Sequence, residues 1–120
     1  REIKIKRDKS VFLLIVLLLC TNAWAGGVLE QRVAAGKRLT LDRKMGNCLA
    51  CHAIDNGPFS GNTAPPLFSM KSRFPDKKKL VTQISNPLAN NRDTIMPPFG
   101  LHGILTEDQI HKIVEYLYTL

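Results

Sequence analysis

The sequence predicts an all-α domain of few short helices joined by long loops. Three segments place apolar residues at helical spacing, and no segment alternates apolar and polar residues as a strand would. Residues 53–75 are rich in Gly, Pro, Asn and Ser, and residues 88–105 form a second loop that contains two adjacent prolines. A chain of 120 residues is sufficient for one compact domain. Loops this long are unusual inside such a domain, so we expect them to wrap a group that is not part of the polypeptide.

Residues 1–25 have the layout of a signal peptide. The first ten residues are mostly charged, residues 11–20 carry no charge, and Ala-Trp-Ala at 23–25 is the small-x-small pattern that a signal peptidase recognises. The apolar run is shorter than the roughly 20 residues that span a bilayer. We therefore expect cleavage after this pattern, which leaves residues 26–120 as an exported, periplasmic domain without a membrane anchor.

Two other interpretations of this segment stay open. One is an uncleaved N-terminal anchor, which the short apolar run disfavours. The other is lipid attachment at Cys20, which the bulky Leu19 before it disfavours.

The charge and the cysteines of residues 26–120 limit the classes of function that fit the sequence. Without the first 25 residues the chain has 12 Lys and Arg against 8 Asp and Glu, a net charge of +4. That bias is too mild to indicate a nucleic-acid partner. Cys48 and Cys51 are the two thiols of this part of the sequence, so it can form one disulfide at most, and we expect the pair to serve another purpose.

Two helices are predicted ahead of the C-terminal region. The first covers residues 34–45 and ends at the Gly-Asn pair that follows it. The second covers residues 77–85, with Asp76 as its N-cap and an Asn-Pro pair as its end.

The C-terminal helix has the strongest sequence signal. Thr106 and Gln109 form a capping-box pattern at its start. Apolar residues then follow at positions i, i+3, i+4 and i+7, namely Ile110, Ile113, Val114 and Leu117. This pattern predicts an amphipathic helix that closes the chain.

Cys48-Leu49-Ala50-Cys51-His52 is the attachment motif of c-type haem. The spacing brings both thiols to the two vinyl groups of one porphyrin, and the adjacent His52 ligates the iron. A thioredoxin-like redox pair is disfavoured because a predicted helix precedes the motif and a loop follows it. A zinc site would need two further Cys or His ligands, and only His102 and His111 remain.

Met96 is the predicted second axial ligand. Two prolines follow it and stiffen the segment, so a thioether can be presented there at little entropic cost. The alternatives are Met45, Met70, His102, His111 or a vacant position. We expect packing roles for the two other methionines and surface positions for the two histidines.

A His/Met iron is coordinatively filled and favours electron transfer over oxygen or peroxide chemistry. The carbonyl of Pro65 is predicted to accept the Nδ1 proton of His52 and to fix the ring. Lys77, Lys78 and Lys79 are either a docking patch for an acidic partner or a solvated helix face.

Four motifs together resemble the SoxX family of class I c-type cytochromes. They are GNCLACH at 46–52, APPL at 64–67, TIMPPFG at 94–100 and ILT at 104–106. The resemblance runs from about Gly36 to Leu120. It implies a class I cytochrome c-like fold around one covalent haem c, bound through Cys48 and Cys51.

The resemblance also implies a partner and a pathway. SoxX pairs with a SoxA subunit in the periplasm to form SoxAX, an L-cysteine S-thiosulfotransferase that couples thiosulfate oxidatively to a cysteine of the SoxYZ carrier. In that complex this chain would hold no substrate site and would pass electrons to a downstream cytochrome. The short stretch between Gly26 and Gly36 departs from longer family members and leaves the extent of the partner interface open.

Two other functions remain compatible with the residues. One is a freely diffusing class I cytochrome c of a respiratory chain. The other is a small haem enzyme or sensor with a labile sixth ligand.

Overall fold

The computed structural model describes residues 22–55 and 57–120. Within them lie four α-helices: α1, Asn22–Leu41; α2, Met70–Arg73; α3, Lys77–Ser85; and α4, Glu107–Leu117. Short 3-10 turns occupy Cys48–Ala50 and Pro87–Ala89. This part of the chain holds no β-strand, only an isolated parallel bridge between Ile54 and Leu67. The all-α architecture predicted from the sequence is confirmed.

The chain divides into two compact units, residues 1–30 and 31–120. Most of the predicted signal peptide, residues 1–21, lies outside the described residues, so its cleavage stays a prediction. Among the helices that are described, none is long and apolar enough to cross a membrane.

Helix α1 differs from its prediction at both ends. It begins at Asn22 rather than residue 34, because residues 22–41 contain no proline and the Gly-Gly pair costs a helix stability without breaking it. It ends at Leu41 rather than residue 45. The carboxylate of Asp42 accepts a hydrogen bond from the Lys44 backbone N–H at 2.8 Å, and this local turn replaces the next helical turn.

Helix α3 has the predicted bounds, and both α3 and α4 have the predicted caps. The Asp76 side chain accepts from the Lys78 N–H at 2.9 Å, and Thr106 and Gln109 form the reciprocal capping box. All four apolar residues of the α4 pattern are buried, each 3% exposed or less. The core forms where α4 packs against α3, and it comprises Ile54, Met70, Leu80, Ile84, Phe99, Leu105, Ile110, Ile113, Val114, Tyr116 and Leu117.

The loop predicted for residues 53–75 contains one helical turn, α2, that the sequence analysis missed. Ser69 adopts a left-handed conformation ahead of it, with φ 50°. Met70 is 2% exposed, whereas the other three residues of the turn face solvent. A single buried side chain therefore orders this turn, and one residue creates no periodicity to detect.

Gly36 lies where α1 and α4 cross. A Cβ at this position would lie 1.9 Å from the Lys112 carbonyl oxygen and 3.0 Å from Tyr116 Cβ. One turn later on α1, the fully buried Thr40 donates its hydroxyl proton to the Gly36 carbonyl at 2.8 Å. Arg32 and Asp108 pair across the same two helices at 3.1 Å. The crossing is thus close enough to require glycine.

We expect Gly36→Ala to destabilise the protein by about 2 kcal/mol. Overpacking at a contact between helices costs about 3 kcal/mol, and the better helix propensity of alanine recovers about 1 kcal/mol. Urea unfolding of the purified protein, followed by circular dichroism, measures the difference.

Gly27→Ala is the matched control, because a Cβ at Gly27 of the same helix meets nothing within 4 Å. This substitution should be neutral or stabilising, by at most about 1 kcal/mol. Equal effects of the two substitutions would contradict the close crossing.

Candidate haem site

The cysteine motif lies on a tight turn that follows α1 directly. Gly46 passes so near the end of α1 that a Cβ there would lie 2.7 Å from the Leu39 carbonyl oxygen. Asn47 then takes a left-handed conformation with φ 47°, a conformation that asparagine tolerates better than most residues. Together they turn the chain into the 3-10 turn Cys48–Ala50.

The turn brings the backbone of His52 next to Cys48, the residue at which the turn begins. The backbone N–H groups of Cys51 and His52 both donate to the Cys48 carbonyl, at 3.2 and 2.9 Å. The motif is therefore closed by hydrogen bonds into one turn of chain, with both thiols and the imidazole on a short, ordered segment.

The His52 ring is held by the loop that follows. Nδ1 of His52 lies 2.6 Å from the Pro65 carbonyl oxygen. Because a carbonyl only accepts, Nδ1 carries the proton and Nε2 is left with a lone pair for a metal. The loop is itself tied to the motif by bonds from Ala64 N–H to the Cys51 carbonyl at 3.0 Å and from Leu67 N–H to the Ala53 carbonyl at 2.8 Å.

A second glycine holds this loop against the motif. The Gly61 N–H donates to the Leu49 carbonyl at 2.7 Å, and a Cβ on Gly61 would lie 2.1 Å from the Ala50 carbonyl oxygen. No sequence pattern marks Gly61, because its role depends on this contact with the motif.

Cys48 and Cys51 are not joined by a disulfide. Burial, the largest effect, raises the pKa of the Cys48 thiol to about 11, and the neighbouring Cys51 adds to the rise. Cys48 is therefore protonated at neutral pH, and a protonated thiol is a weak nucleophile. This environment is unlike that of a reactive redox cysteine, whose thiolate is stabilised.

An apolar cavity of about 700 Å³ adjoins the motif. This volume lies within the roughly 300–1,000 Å³ that is typical of sites for small molecules and cofactors. Its walls include Cys48, Cys51 and His52 together with the core side chains Leu80, Ile84, Phe99 and Ile113. The core described above therefore surrounds a cavity instead of closing on itself.

The candidates for the sixth ligand fall into two groups, those that line the cavity and those that do not. Met96 lines it, as do Met45 and Met70, whereas His102 and His111 are exposed and are not among the lining residues. His111 instead lies 3.8 Å from Glu107 on the surface of α4. The two histidines thus have the surface positions expected of them.

Met70 and Met96 differ in what their sulfurs contact. Sδ of Met70, a residue 2% exposed, accepts a hydrogen bond from the Arg73 guanidinium at 3.5 Å. Sδ of Met96 accepts from Nε2 of Gln83 at 3.7 Å, and the Met96 N–H donates to the Thr94 hydroxyl at 3.2 Å. The role of Gln83 was not predicted from the sequence, although this residue falls three positions after Leu80 on the apolar side of α3. Thr94 is the first residue of the TIMPPFG motif, but its hydrogen bond to Met96 was not predicted.

Within the run Lys77, Lys78 and Lys79, the first residue makes contacts with other side chains of the protein. Lys77 pairs with Glu115 at 2.8 Å and lies over the ring of Tyr118, 5.0 Å from its centroid. Tyr118 also donates its hydroxyl proton to the Phe74 carbonyl. Lys78 and Lys79 are exposed, so the docking patch predicted there stays a prediction for these two.

The residues around the cavity fit a covalently attached haem. Two thiols, one imidazole with a defined tautomer and three thioethers, that of Met96 among them, border a single apolar space. Among the side chains of residues 26–55 and 57–120, no group of three or more His, Cys, Asp or Glu is placed to hold a metal ion. A haem iron needs no such cluster, because the porphyrin supplies four of its ligands.

Comparison with known proteins confirms the predicted class I cytochrome c-like fold and identifies the family. Residues 31–117 match the family described as cytochrome c oxidase, cbb3-type, subunit III. A crystal structure of SoxXA from P. pantotrophus superposes with a TM-score of 0.65 at 28% identity, over 72% of this chain and 79% of the compared chain. The resemblance to SoxX that the motifs predicted is confirmed.

A curated relative is described as an uncharacterized lipoprotein of Aquifex aeolicus (strain VF5). It is 38% identical over 76 residues, which are 62% of this chain. The matched part spans 37% of the length of that relative.

Proposed function

The chain belongs to the family described as cytochrome c oxidase, cbb3-type, subunit III, and we propose that it is the periplasmic, monohaem electron-transfer subunit of a SoxAX-type complex. Cys48 and Cys51 would bind the haem covalently, and His52 and Met96 would ligate its iron. The signal peptide, residues 1–25, is removed on export.

One observation carries this proposal: Cys48, Cys51, His52 and Met96 border the same apolar cavity, although 44 residues lie between Cys51 and Met96 in the sequence. A bound haem supplies reversible one-electron exchange at its iron. The chain's own contribution is to hold His52 in one tautomer through Pro65, to present the Met96 thioether and to exclude water with the apolar walls.

The SoxX assignment is supported by two independent likenesses. The TIMPPFG and ILT motifs carry the sequence resemblance, and the SoxXA structure carries the structural one. By this proposal a SoxA-type subunit holds the thiosulfate chemistry, whereas the present chain accepts the electrons and passes them to a downstream cytochrome.

The description of the matched family favours a second function, electron transfer in a respiratory chain. Both functions use the same haem site. They differ in whether a larger cytochrome subunit binds the chain and in where its electrons originate.

Purification from the periplasm with partners retained tests the proposal. The mature chain should have the mass of residues 26–120 plus one haem, should copurify with a larger cytochrome, and should become reduced when thiosulfate and the SoxYZ carrier are added. A haem-loaded chain that purifies alone and is not reduced by thiosulfate would support the respiratory carrier instead. A colourless chain with the mass of the bare polypeptide would overturn both.

A further inference from the structure

Two side-chain amides form a chain of contacts that ends on Met96. Nδ2 of Asn90 donates to Oε1 of Gln83 at 2.8 Å, and Nε2 of Gln83 donates to Sδ of Met96 at 3.7 Å. We call Asn90, Gln83 and Met96 the amide relay. It joins an exposed residue beyond α3 to a thioether that lines the cavity.

The first amide decides the orientation of the second. A glutamine amide has an acceptor end and a donor end, and its two orientations are nearly equal in shape. Because Asn90 donates to the oxygen of Gln83, the NH₂ group of Gln83 is turned toward the sulfur of Met96. The opposite orientation would place an amide oxygen against the sulfur, where two acceptors repel.

Both amides stand on ordered backbone. Gln83 belongs to α3, whose neighbouring side chains Leu80 and Ile84 are buried in the core. Asn90 caps the 3-10 turn Pro87–Ala89, and its N–H donates to the Pro87 carbonyl at 3.0 Å. The donor that reaches Met96 is therefore fixed before any group enters the cavity.

A thioether sulfur has two lone pairs. When one lone pair binds a metal, the other can accept a hydrogen bond from an N–H group. A donor held in a fixed position therefore determines which lone pair faces the metal. Hydrogen bonds to ligand atoms orient the ligand and tune the affinity and redox potential of a metal centre. Neutral amides in the relay do this without placing a charge beside an apolar cavity.

We propose that Gln83, oriented by Asn90, is a positioning residue that presents the Met96 thioether as axial ligand and strengthens its bond to iron. The inference rests on the proposed function, because it requires a haem in the cavity and Met96 as its ligand. The contribution of Met96 to the reduction potential is then partly set by an exposed residue outside the cavity wall.

Competition with imidazole measures the strength of the Met96 bond in the purified ferric protein. Imidazole displaces a weakly held thioether, and the loss of the red charge-transfer band of thioether-ligated ferric haem reports the displacement. Gln83→Leu keeps the approximate shape and removes the donor. We expect it to bind imidazole about tenfold more tightly than the wild type, the lower end of the roughly 10–100-fold cost of losing an outer hydrogen-bond partner.

Asn90→Asp separates orientation from packing. Aspartate has nearly the same shape but only accepts, so Gln83 would turn its NH₂ toward residue 90 and its oxygen toward Met96. The variant should therefore shift imidazole affinity in the same direction as Gln83→Leu and should lower the midpoint potential, although residue 90 lies at an exposed position.

Thr82→Ala is the matched control, because Thr82 is exposed on α3 next to Gln83 and bonds within the helix to the Lys78 carbonyl. It should match the wild type. Imidazole affinities and potentials of Gln83→Leu and Asn90→Asp that equal those of Thr82→Ala would overturn the relay and leave the proposed function standing. A wild-type protein with haem but without the thioether band would instead overturn Met96 ligation itself.

Discussion

Met96→Ala should abolish the thioether charge-transfer band of the ferric protein and lower its reduction potential. Axial ligands set haem potentials over a range of about 0.8 V, and a thioether lies toward the upper part of it. Alanine leaves the sixth position to water or an added ligand, so the ferric state gains stability relative to the ferrous state. Absorption spectroscopy and a redox titration of the purified protein measure the two changes.

Met70→Leu is the control for this prediction, since it removes the sulfur of the buried Met70 and keeps a nearly equal side-chain volume. It should keep the band and the potential and cost less than about 1.5 kcal/mol of stability. The reverse pattern, with the band kept in Met96→Ala and lost in Met70→Leu, would make Met70 the ligand. The contact of the Met70 sulfur with Arg73 argues against that outcome, because it leaves a cationic group beside the sulfur.

The predictable parts of the fold are those determined by interactions between residues that are close in sequence. Asp76 and the Thr106–Gln109 pair determine where α3 and α4 begin, because capping side chains act on backbone groups two or three residues away. The buried face of α4 follows from its apolar spacing alone. The CxxCH motif likewise bonds within itself, through the Cys48 carbonyl.

The parts that were missed depend on contacts between distant residues. The turn α2 exists because Met70 is buried by other elements, and Gly36 matters because α4 lies against it. The start of α1 was missed because a Gly-Gly pair favours a break in a short peptide but costs a helix only about 1 kcal/mol for each residue. The contact of Gln83 with Met96 joins two segments whose approach has no signal in sequence spacing.

Replacing Cys48 and Cys51 together by alanine should leave the protein without covalent haem and strongly destabilise its fold. The core surrounds a cavity of about 700 Å³ that the haem is proposed to fill, and cavity formation costs about 24 cal/mol per Å³ in a protein core. Even if the space partly collapsed, the cavity that remained would therefore cost several kcal/mol. This cost is comparable to the whole stability of a small domain, about 5–15 kcal/mol.

Haem staining of a denaturing gel, intact mass and thermal unfolding by circular dichroism measure these effects. The single variants Cys48→Ala and Cys51→Ala are the matched controls, because each keeps His52 and one thioether bond and should retain haem on the gel with a lower unfolding temperature. His111→Ala changes an exposed histidine of α4 and should leave all three measurements unchanged. A double variant that still stains after denaturation would contradict attachment through these thiols. One that unfolds at the wild-type temperature without haem would show that the polypeptide closes its core alone, and the long loops would then need another explanation.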